Sequence, residues 1–564
     1  MKNLLIILGI LLSLAGCSKP NQLLNLRFKS KLTTLDPARA FDKSSLEVLG
    51  SVYEPLYQYH YLIRPHKVIP LLAVGQPEVS SEGLVYRIKI KKGIKYHDHP
   101  AFNGKARYVQ AQDFVTQLKR IAYLPLKSPG HGMLRGLLKG FDQYSKLVGQ
   151  DFSKLLKTSF EGAVAIDDHT LELRLQKKVS NLVHLLTLSF FVPIPVEILG
   201  NVNLENSSLG TGPYVLHDIN AKRYHLKKFQ DYRKALYPSI GDRNAHGAKL
   251  LADAHKKIPF LDNVYYRVIE SDLEAWKEFT DKNIDFMEVP KSRMDEIIDY
   301  RGKIKKEYAK QDIELSIYPA MINRWLSFNF NDPLVGKNKK IREAISLAID
   351  RNLYNIKIKQ STAHVANSIF TPGIEGYDTN RSLNNVIDIE HAKKLLKDLG
   401  YDKSNPLTLK YSTRTKGVDG IEEASFLKKS LEQIGVNLEV EFLDFSEFLR
   451  KGRSGQLQFF TDNWIYDYPD PLNMLQLLHS KNHPGINKSA FNSQKFDKLY
   501  KQLEQTIDPI KRKALFYKIE NEVISNVAWI MLCYERDVMV THKRVRNLRK
   551  SSFIRNYIKY IRTH

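Results

Sequence analysis

The sequence predicts an α/β protein built of at least two lobes. Segments with helical periodicity alternate with segments of strand periodicity along the chain, and their spacing follows no fixed repeat. The chain has 564 residues, which is more than one hydrophobic core normally supports. These two observations exclude a repeat protein and a single small domain.

The N-terminus has the pattern of a secretory signal. One lysine, Lys2, precedes an apolar run from Leu4 to Leu14, which is too short to span a bilayer comfortably. The run ends in Leu14-Ala15-Gly16-Cys17, which resembles a bacterial lipobox. We therefore expect a signal peptide over residues 1–16, lipid on Cys17 and a tether over residues 17–22, with the protein extracytoplasmic and anchored to a membrane at that end only.

Cysteine content and net charge limit the disulfides and the partners that the sequence predicts. Apart from Cys17 the sequence has only Cys533, so no disulfide is expected once Cys17 carries lipid, and the apolar residues before Cys533 predict a core position. The formal charge is +25, and removal of the signal peptide would leave +24. Because the protein is predicted to be exported and its lysines are scattered, a basic surface near anionic lipid is expected, without a nucleic-acid partner.

Hydrophobic periodicity places the main elements. Helices are predicted where apolar residues recur every three or four positions, and strands where they alternate with polar ones. The predicted helices are 46–57, 111–121, 341–354, 391–399, 496–503 and 512–525. The predicted strands are 86–90, 171–175, 214–216 and 436–442, with a hairpin turn over 166–170 and an irregular basic excursion over 231–257.

One stretch combines chemistry that the rest of the chain lacks. Residues 464–473 read Trp-Ile-Tyr-Asp-Tyr-Pro-Asp-Pro-Leu-Asn and place two carboxylates among aromatic rings and prolines. The prolines predict a strand that ends in a rigid turn. Asp467, held among aromatic side chains, is suited to act as an anion that binds a cation. An ordinary turn explains the same residues equally well.

Other sites are not supported by the sequence. His97-Asp98-His99 could bind a metal, but a strand-to-turn corner accounts for these residues and no other metal motif accompanies them. Gly210-Thr211-Gly212 precedes a strand, unlike a phosphate loop, and we expect its glycines to adopt a special backbone conformation. No metal and no cofactor are predicted. A hydrolase that uses Asp467 and Asp470 as paired carboxylates remains the enzyme alternative.

Several stretches together resemble the extracytoplasmic solute-binding proteins of ABC importers for peptides, the family 5 or oligopeptide- and dipeptide-binding group. The resemblance runs from Leu35-Asp36-Pro37 to the region of Tyr534. It is carried by residues 52–56, 86–98 with 111–114, 210–214, 341–351, 395–401 and 434–436, and by the similarity of residues 464–473 to the family's Trp-x-x-Asp-Tyr-x-x-Pro segment.

The resemblance implies a fold and an activity. The fold would be the two-lobed periplasmic-binding-protein type II-like architecture (cluster C), with a sub-domain inserted in the first lobe. The protein would not be an enzyme: it would act as a monomer, capture a peptide in a closing cleft and deliver it to the permease subunits of an ABC importer. Relatives that bind nickel, haem or oligosaccharides leave another solute as an alternative.

The resemblance also implies boundaries and site residues. The first lobe would have its core at 23–53 and 201–318 and its inserted sub-domain at 54–200; the second lobe would be 319–528, and residues 529–564 would return to the first. Asp467 would bind the peptide α-ammonium, and Trp464 and Tyr466 would line the cleft. Backbone contacts would come from the segment just before the first helix, Phe41, Asp42, Lys43 and Ser44. Some oligopeptide binders have an arginine shortly before the Trp, where this chain has Phe460-Thr461-Asp462, and Arg450 and Arg453 are out of register.

Overall fold

The computed structural model describes residues 22–200, 204–205, 209–220, 222–299, 302–381, 383, 386–402, 404–415 and 417–563. The predicted signal peptide, the lipidation site Cys17 and the tether up to residue 21 lie outside these residues. Within the described ranges, no helix is both long enough and apolar enough to cross a membrane.

The architecture is mixed α/β, as predicted. The lobes are named here by the predicted boundaries, whose positions remain predictions. Strands before the second lobe are Leu23–Phe28, Tyr57–Tyr59, Val68–Pro70, Glu78–Val79, Val85–Lys89, Ala163–Asp167, Thr170–Arg174, Tyr214–Asn220, Arg223–Lys228, Ala235–Leu236, Lys257–Ile258, Asn263–Val268 and Phe286–Glu288. Helices there are Lys43–Val52, Ala111–Ala122, Gly130–Leu134, Phe141–Val148, Lys154–Lys157, Leu182–Leu185, Arg243–Gly247, Asp272–Thr280, Met294–Ile297 and Lys306–Ala309.

The rest of the chain alternates helices and strands in the same way. Its strands are Ile313–Phe328, His364–Val365, Leu407–Thr413, Val436–Phe442, Phe459–Ile465, Trp529–His542, Val545–Arg546 and Arg562–Thr563. Its helices are Lys339–Ala348, Arg351–Lys359, Ile389–Lys397, Gly417–Glu432, Phe445–Arg453, Leu472–Leu475, Gln494–Gln505 and Pro509–Ser525.

Two long antiparallel strands join the lobes. The first crossing strand, Ile313–Phe328, pairs with the second, Trp529–His542. Phe286–Glu288 extends their sheet on the first-lobe side. On the other side the sheet continues into the second lobe through three strands, Phe459–Ile465, Leu407–Thr413 and Val436–Phe442, in that order. One sheet thus runs through both lobes.

The first crossing strand is irregular where it passes between the lobes. Its register with the second crossing strand shifts between Pro319 and Asn323, and Met321 has φ +56°. A non-glycine residue in this left-handed region is strained and must be held by its surroundings. We call residues Pro319–Ile322 the pivot, because the regular strand pairing is interrupted there.

Two predicted helices differ from the structure. The predicted helix 341–354 is two helices, because Ile349 leaves helical geometry and Asp350 caps the second by accepting a hydrogen bond from Leu353 N at 2.9 Å. The first helix begins at Lys43 with Asp42 as its N-cap, so Lys43 and Ser44 belong to the helix and do not precede it. Apolar spacing alone did not show these caps.

Gly210 and Gly212 lie where any side chain would clash with the backbone of the first helix. Neither has a positive φ, contrary to the expected special backbone. A Cβ at Gly210 would lie 2.0 Å from Val52 O, and one at Gly212 would lie 2.5 Å from Ser51 O. The strand from Tyr214 can therefore start against the end of the first helix only because both side chains are absent.

The basic excursion 231–257 attaches the C-terminal segment to the first lobe. Asp242 pairs with Arg549 at 2.8 Å, and Asp253 pairs with Arg562 at 3.0 Å. The Tyr61 ring stacks on Tyr560, with centroids 4.2 Å apart, and Tyr237 packs edge-on against both. Ion pairs and ring contacts with distant parts of the chain thus hold residues 231–257 in place, and the local sequence does not predict these contacts.

The largest hydrophobic core fills the first lobe and continues into residues 466–523. A second core fills the strands and helices of the second lobe and includes Cys533, which is fully buried, as predicted. Burial raises the pKa of the Cys533 thiol to about 12, consistent with a packing role.

Candidate functional site

The site segment, residues 464–473, lies at the carboxyl edge of the second-lobe sheet. The strands Phe459–Ile465, Leu407–Thr413 and Val436–Phe442 are parallel, so their carboxyl ends point the same way. Tyr411 pairs with Phe459 and Ser412 with Phe460, so Phe459–Ile465 extends past the ends of the other two. In open α/β sheets, ligands bind in the crevice beyond this edge. The predicted strand and turn are both present, and the turn leads into the short helix Leu472–Leu475.

Asn473 fixes the geometry of this segment. Its Oδ1 accepts hydrogen bonds from Trp464 Nε1 at 2.8 Å and from Asp467 N at 3.0 Å. Its Nδ2 donates to Asp467 Oδ2 at 3.0 Å. Asn473 itself is 1% exposed. The Asp467 carboxylate is therefore held in one orientation by a buried amide, and its second oxygen is left open.

Asp467 is an exposed residue with protein around it. The protein on either side removes enough water to raise the pKa of its carboxyl group, and the Asn473 hydrogen bond and the charge of Arg555 offset part of that effect. Within the described residues, no lysine or arginine lies within the 4.0 Å of an ion pair with Asp467. Asp467 is thus an oriented anion without a cation bound to it.

The two aromatic residues predicted to line the cleft differ in exposure. Trp464 is half-buried and tied to Asn473. Tyr466 is 2% exposed and lies in the core, where its backbone N donates to Met321 O in the pivot at 3.0 Å. Tyr466 therefore connects the site segment to the crossing strand, with its side chain behind the cleft surface.

The predicted first-lobe residues lie at the mouth of a separate cavity. Phe41 is 71% exposed, and Asp42 is occupied as the helix cap. Asp42, Lys43 and Ser44 line a cavity of about 240 Å³ together with Arg27, Glu47, Glu288 and Lys550; Asp467 does not line this cavity. Burial alone would lower the pKa of Lys43, but the carboxylates of Glu288, Asp537 and Glu47 together outweigh burial and raise that pKa.

Asp470 has a packing role. Its Oδ2 pairs with Arg512 Nη2 at 2.7 Å, its Oδ1 accepts from Leu472 N at 2.8 Å, and the residue is 2% exposed. Both oxygens are thus engaged within the second lobe. The arrangement does not present Asp467 and Asp470 as a free pair of carboxylates.

The side chains of residues 97–99 point to three different partners. His97 is 1% exposed and its Nε2 lies 2.9 Å from Gly212 O, whereas Asp98 pairs with Lys95 and His99 caps a short turn. Within the described ranges, no three acidic, histidine or cysteine side chains gather as a metal site.

Arg414 is a candidate that sequence reasoning missed. It follows the strand Leu407–Thr413 directly, and its guanidinium donates to Asn463 Oδ1, lies 3.6 Å from Asp462 and packs over the ring of Phe445. Parallel pairing brings it level with Asp462 and Asn463, on the strand that leads to Asp467. Knowledge that Leu407–Thr413 and Phe459–Ile465 pair in parallel would have identified Arg414. The hydrophobic periodicity of the two strands does not show this pairing.

Comparisons with known proteins agree with this geometry. The family described as "Bacterial extracellular solute-binding proteins, family 5 Middle" matches residues 67–485. The glutathione-binding protein GsiB of Shigella dysenteriae is 24% identical over 559 residues, covering 96% of this chain and 94% of the relative. Di/tripeptide-binding protein 2 of Pseudomonas aeruginosa is 24% identical over 543 residues, covering 92% and 90%.

A solved structure confirms the two-lobed fold. The periplasmic binding protein DppA from Helicobacter pylori, in complex with the peptide STSA, superposes with a TM-score of 0.69 at 22% identity, covering 96% of this chain and 98% of that one. The family match spans well over half of the sequence, and the relatives cover nearly all of it. The chain therefore belongs to the bacterial extracellular solute-binding proteins of family 5.

Proposed function

We propose that this protein captures peptides in the cleft between its lobes and delivers them to an ABC importer. The observation that carries the proposal is Asp467: an oriented carboxylate with no lysine or arginine partner among the described residues, beyond the carboxyl end of a sheet strand. Such a group suits the α-ammonium that every unmodified peptide carries. Recognition by the terminus would be independent of peptide sequence.

The electrostatics favour a charged partner. A carboxylate that has lost part of its water gains more from an ammonium than a fully hydrated one would, because the local dielectric is lower. Removal of one partner of such a pair typically costs about 2–5 kcal/mol. Ligand at a hundredfold excess over Kd would stabilise the protein by about 2.7 kcal/mol.

Arg414 would bind the ligand carboxylate. It lies beside Asn463, on the strand that leads to Asp467, and 26% of its side chain is exposed. Arginine binds carboxylates through two parallel hydrogen bonds. Asp467 and Arg414 would then hold the two ends of a short peptide.

The relatives support peptides as the ligand class. The names of the Shigella and Pseudomonas proteins specify glutathione and di- or tripeptides, and the Helicobacter structure contains a bound peptide. All three ligands carry an ammonium and a carboxylate. We infer the same chemistry for this chain.

We further propose that Cys17 carries lipid and anchors the protein outside the cytoplasm, beside its importer. The support is the lipobox-like Leu14-Ala15-Gly16-Cys17. Metabolic labelling with a fatty acid should mark the wild type and not Cys17→Ser. Labelling that persists in the variant would refute the lipid anchor.

The central test is a thermal shift titration with short peptides and their N-acetylated copies. We expect stabilisation by free peptides and little by acetylated ones, because acetylation removes the ammonium. Equal stabilisation by both would refute the role of Asp467. Mass spectrometry of small molecules released when the purified protein is denatured should identify peptides, and cleavage of added peptides on long incubation would instead indicate a hydrolase.

A further inference from the structure

A groove on the first lobe gathers basic side chains that peptide capture does not use. It has a volume of about 870 Å³ and is lined by the excursion 231–257, the first crossing strand and the C-terminal segment. The described residues that line it include neither Asp467 nor Arg414. We call it the basic groove, after five residues on its walls: Lys249, Lys256, Arg546, Arg549 and Arg562. Two acidic residues, Asp253 and Glu314, line it with them.

Two of the five basic residues have no carboxylate partner among the residues that the structure describes. Asp253 pairs with Lys256 at 2.6 Å and with Arg562 at 3.0 Å, so one carboxylate serves two cations. Within the described ranges, no carboxylate lies within the 4.0 Å of an ion pair with Lys249 or Arg546, and both of these residues are exposed. The groove therefore carries positive charge that its own acidic residues do not balance.

The positions of Arg546 and Arg562 bring like charges together. The two residues lie directly opposite each other on the two short antiparallel strands near the C-terminus. Side chains that are directly opposite are neighbours on one side of a strand pair, and like charges there repel. An anion bound between the two guanidinium groups would relieve this repulsion. The arrangement thus favours an anionic ligand.

The tether of the proposed lipid anchor ends beside this groove. Gln22 Oε1 accepts hydrogen bonds from Thr563 N at 3.1 Å and from Thr563 Oγ1 at 3.3 Å, and Thr563 directly follows Arg562. Cys17 precedes Gln22 by five residues. An extended chain spans at most about 3.6 Å per residue, so a lipid on Cys17 would lie within about 18 Å of Gln22. The membrane surface would therefore be close to the groove.

We propose that the basic groove binds the phosphate head groups of anionic lipids and holds the first lobe against the membrane. Each lysine or arginine within a Debye length of an anionic lipid surface, about 8 Å at physiological salt, strengthens binding to that surface about fivefold. A tether at one end alone would let the protein rotate, whereas the groove would fix which face is turned toward the membrane. The inference rests on the proposed lipid anchor and gives the excursion 231–257 a role.

The alternative is a diffuse attraction between a basic protein and an anionic surface. The formal charge of the sequence is +25, and in that case basic residues anywhere on the surface would contribute equally. A matched pair of variants separates the two. Lys249→Glu/Arg546→Glu reverses the two groove cations without an ion pair, and Lys428→Glu/Lys429→Glu makes the same change in charge at exposed residues of the second-lobe helix Gly417–Glu432.

Sedimentation with vesicles measures the binding. The protein is the chain from Ser18, which keeps every described residue. The vesicles are phosphatidylcholine alone or an equal mixture with phosphatidylglycerol. We expect the wild type and the second-lobe variant to bind the anionic vesicles with similar affinity, and the groove variant to bind them at least about tenfold more weakly, since two attractive charges are lost. Lys249→Arg/Arg546→Lys keeps both charges and should bind as the wild type does.

Thermal unfolding, with and without peptide, shows whether each variant is folded and still captures its ligand. Arg546→Glu places a carboxylate opposite Arg562, so an attractive pair replaces a repulsive one and the fold should be retained. Should the double variant fail to fold, Arg546→Glu alone decides.

Three results would overturn the inference: no preference of the wild type for anionic vesicles, equal weakening in both charge-reversal variants, or unchanged binding in the groove variant. The first would leave the groove to another anionic partner, and the second would show a diffuse attraction. Vesicle binding by this chain needs neither lipid nor peptide, so each result leaves the peptide and labelling tests of the proposed function standing. Failure of peptides to stabilise the wild type would instead overturn peptide capture and leave this inference intact.

Discussion

Asn473 and Asp467 hold each other through two hydrogen bonds of 3.0 Å, one from backbone N of Asp467 to the amide oxygen and one from the amide nitrogen to the carboxylate. The same amide oxygen accepts the Trp464 indole. One buried side chain thus sets the direction of the anion and of the aromatic ring beside it.

Asp467→Asn should abolish the discrimination between free and N-acetylated peptides. The substitution preserves shape and an oxygen for Asn473, but removes the charge. We expect a loss of about 2–5 kcal/mol in binding free energy for free peptides, measured by calorimetry. Asp398→Asn is the control, since Asp398 is an exposed second-lobe carboxylate that pairs with Lys340. Unchanged affinity in Asp467→Asn would contradict the assignment.

Asn473→Asp tests the orientation of the anion. An aspartate there still accepts from Trp464 and from the backbone of Asp467, but it places a second carboxylate about 3 Å from the first. The pair would then retain a proton to a higher pH. With that proton shared, the remaining charge is no longer directed at the ligand alone, so peptide affinity at neutral pH should weaken. An affinity equal to that of the wild type would show that Asn473 does not orient Asp467.

Peptide affinity should depend on the raised pKa of Asp467. A carboxylate binds an ammonium only when it is ionised, so affinity should fall as the pH is lowered toward the folded-state pKa of Asp467. Because that pKa stands above the ordinary value of 3.8, the fall should begin at a higher pH than for an ordinary aspartate. Calorimetry from pH 8 to pH 4, with Asp467→Asn as the flat reference, measures it.

The buried pair of Asp470 and Arg512 should matter for stability. Arg512→Met leaves the Asp470 carboxylate buried without its partner, and loss of one partner of a buried pair typically costs about 3–5 kcal/mol. Lys340→Met breaks the exposed pair with Asp398 and should cost at most about 1 kcal/mol. Urea unfolding at neutral pH compares the two; similar costs would refute the packing role of Asp470.

His97 should destabilise the fold in acid. Burial lowers the pKa of His97 to about 4, against 6.5 for the ordinary group. Between these values the unfolded chain binds more protons than the folded one, so the free energy of unfolding falls as the pH drops from 6.5 toward 4, by up to about 3 kcal/mol. His97→Gln should flatten this dependence, and the exposed His391→Gln should not. A slope unchanged in His97→Gln would contradict the prediction.

Periodicity predicted the elements whose sequence pattern is local. The strand Val436–Phe442 has its predicted bounds, and the helix Ala111–Ala122 exceeds the prediction by one residue. The break at Asp350 was missed because a capping side chain overrode continuous apolar spacing. Caps are hydrogen bonds between neighbours, and hydrophobic patterns do not report them.

The candidate site was only partly visible in the sequence. The unusual composition of residues 464–473 identified Asp467, and a resemblance supplied its role. Asn473 was inside that stretch but unrecognised, since its three hydrogen bonds depend on the turn. Arg414 comes from a distant part of the chain through parallel strand pairing and has no local signal.

The pivot also constrains the order of events during capture. When two bodies rotate about a point, atoms near that point move least. Because Met321 O accepts a hydrogen bond from Tyr466 N, next to Asp467, the position of this carboxylate relative to the crossing strands should change little between open and closed cleft. A ligand head could then bind while the outer cleft is still open, so binding would precede closure and the rest of the peptide would be enclosed afterwards.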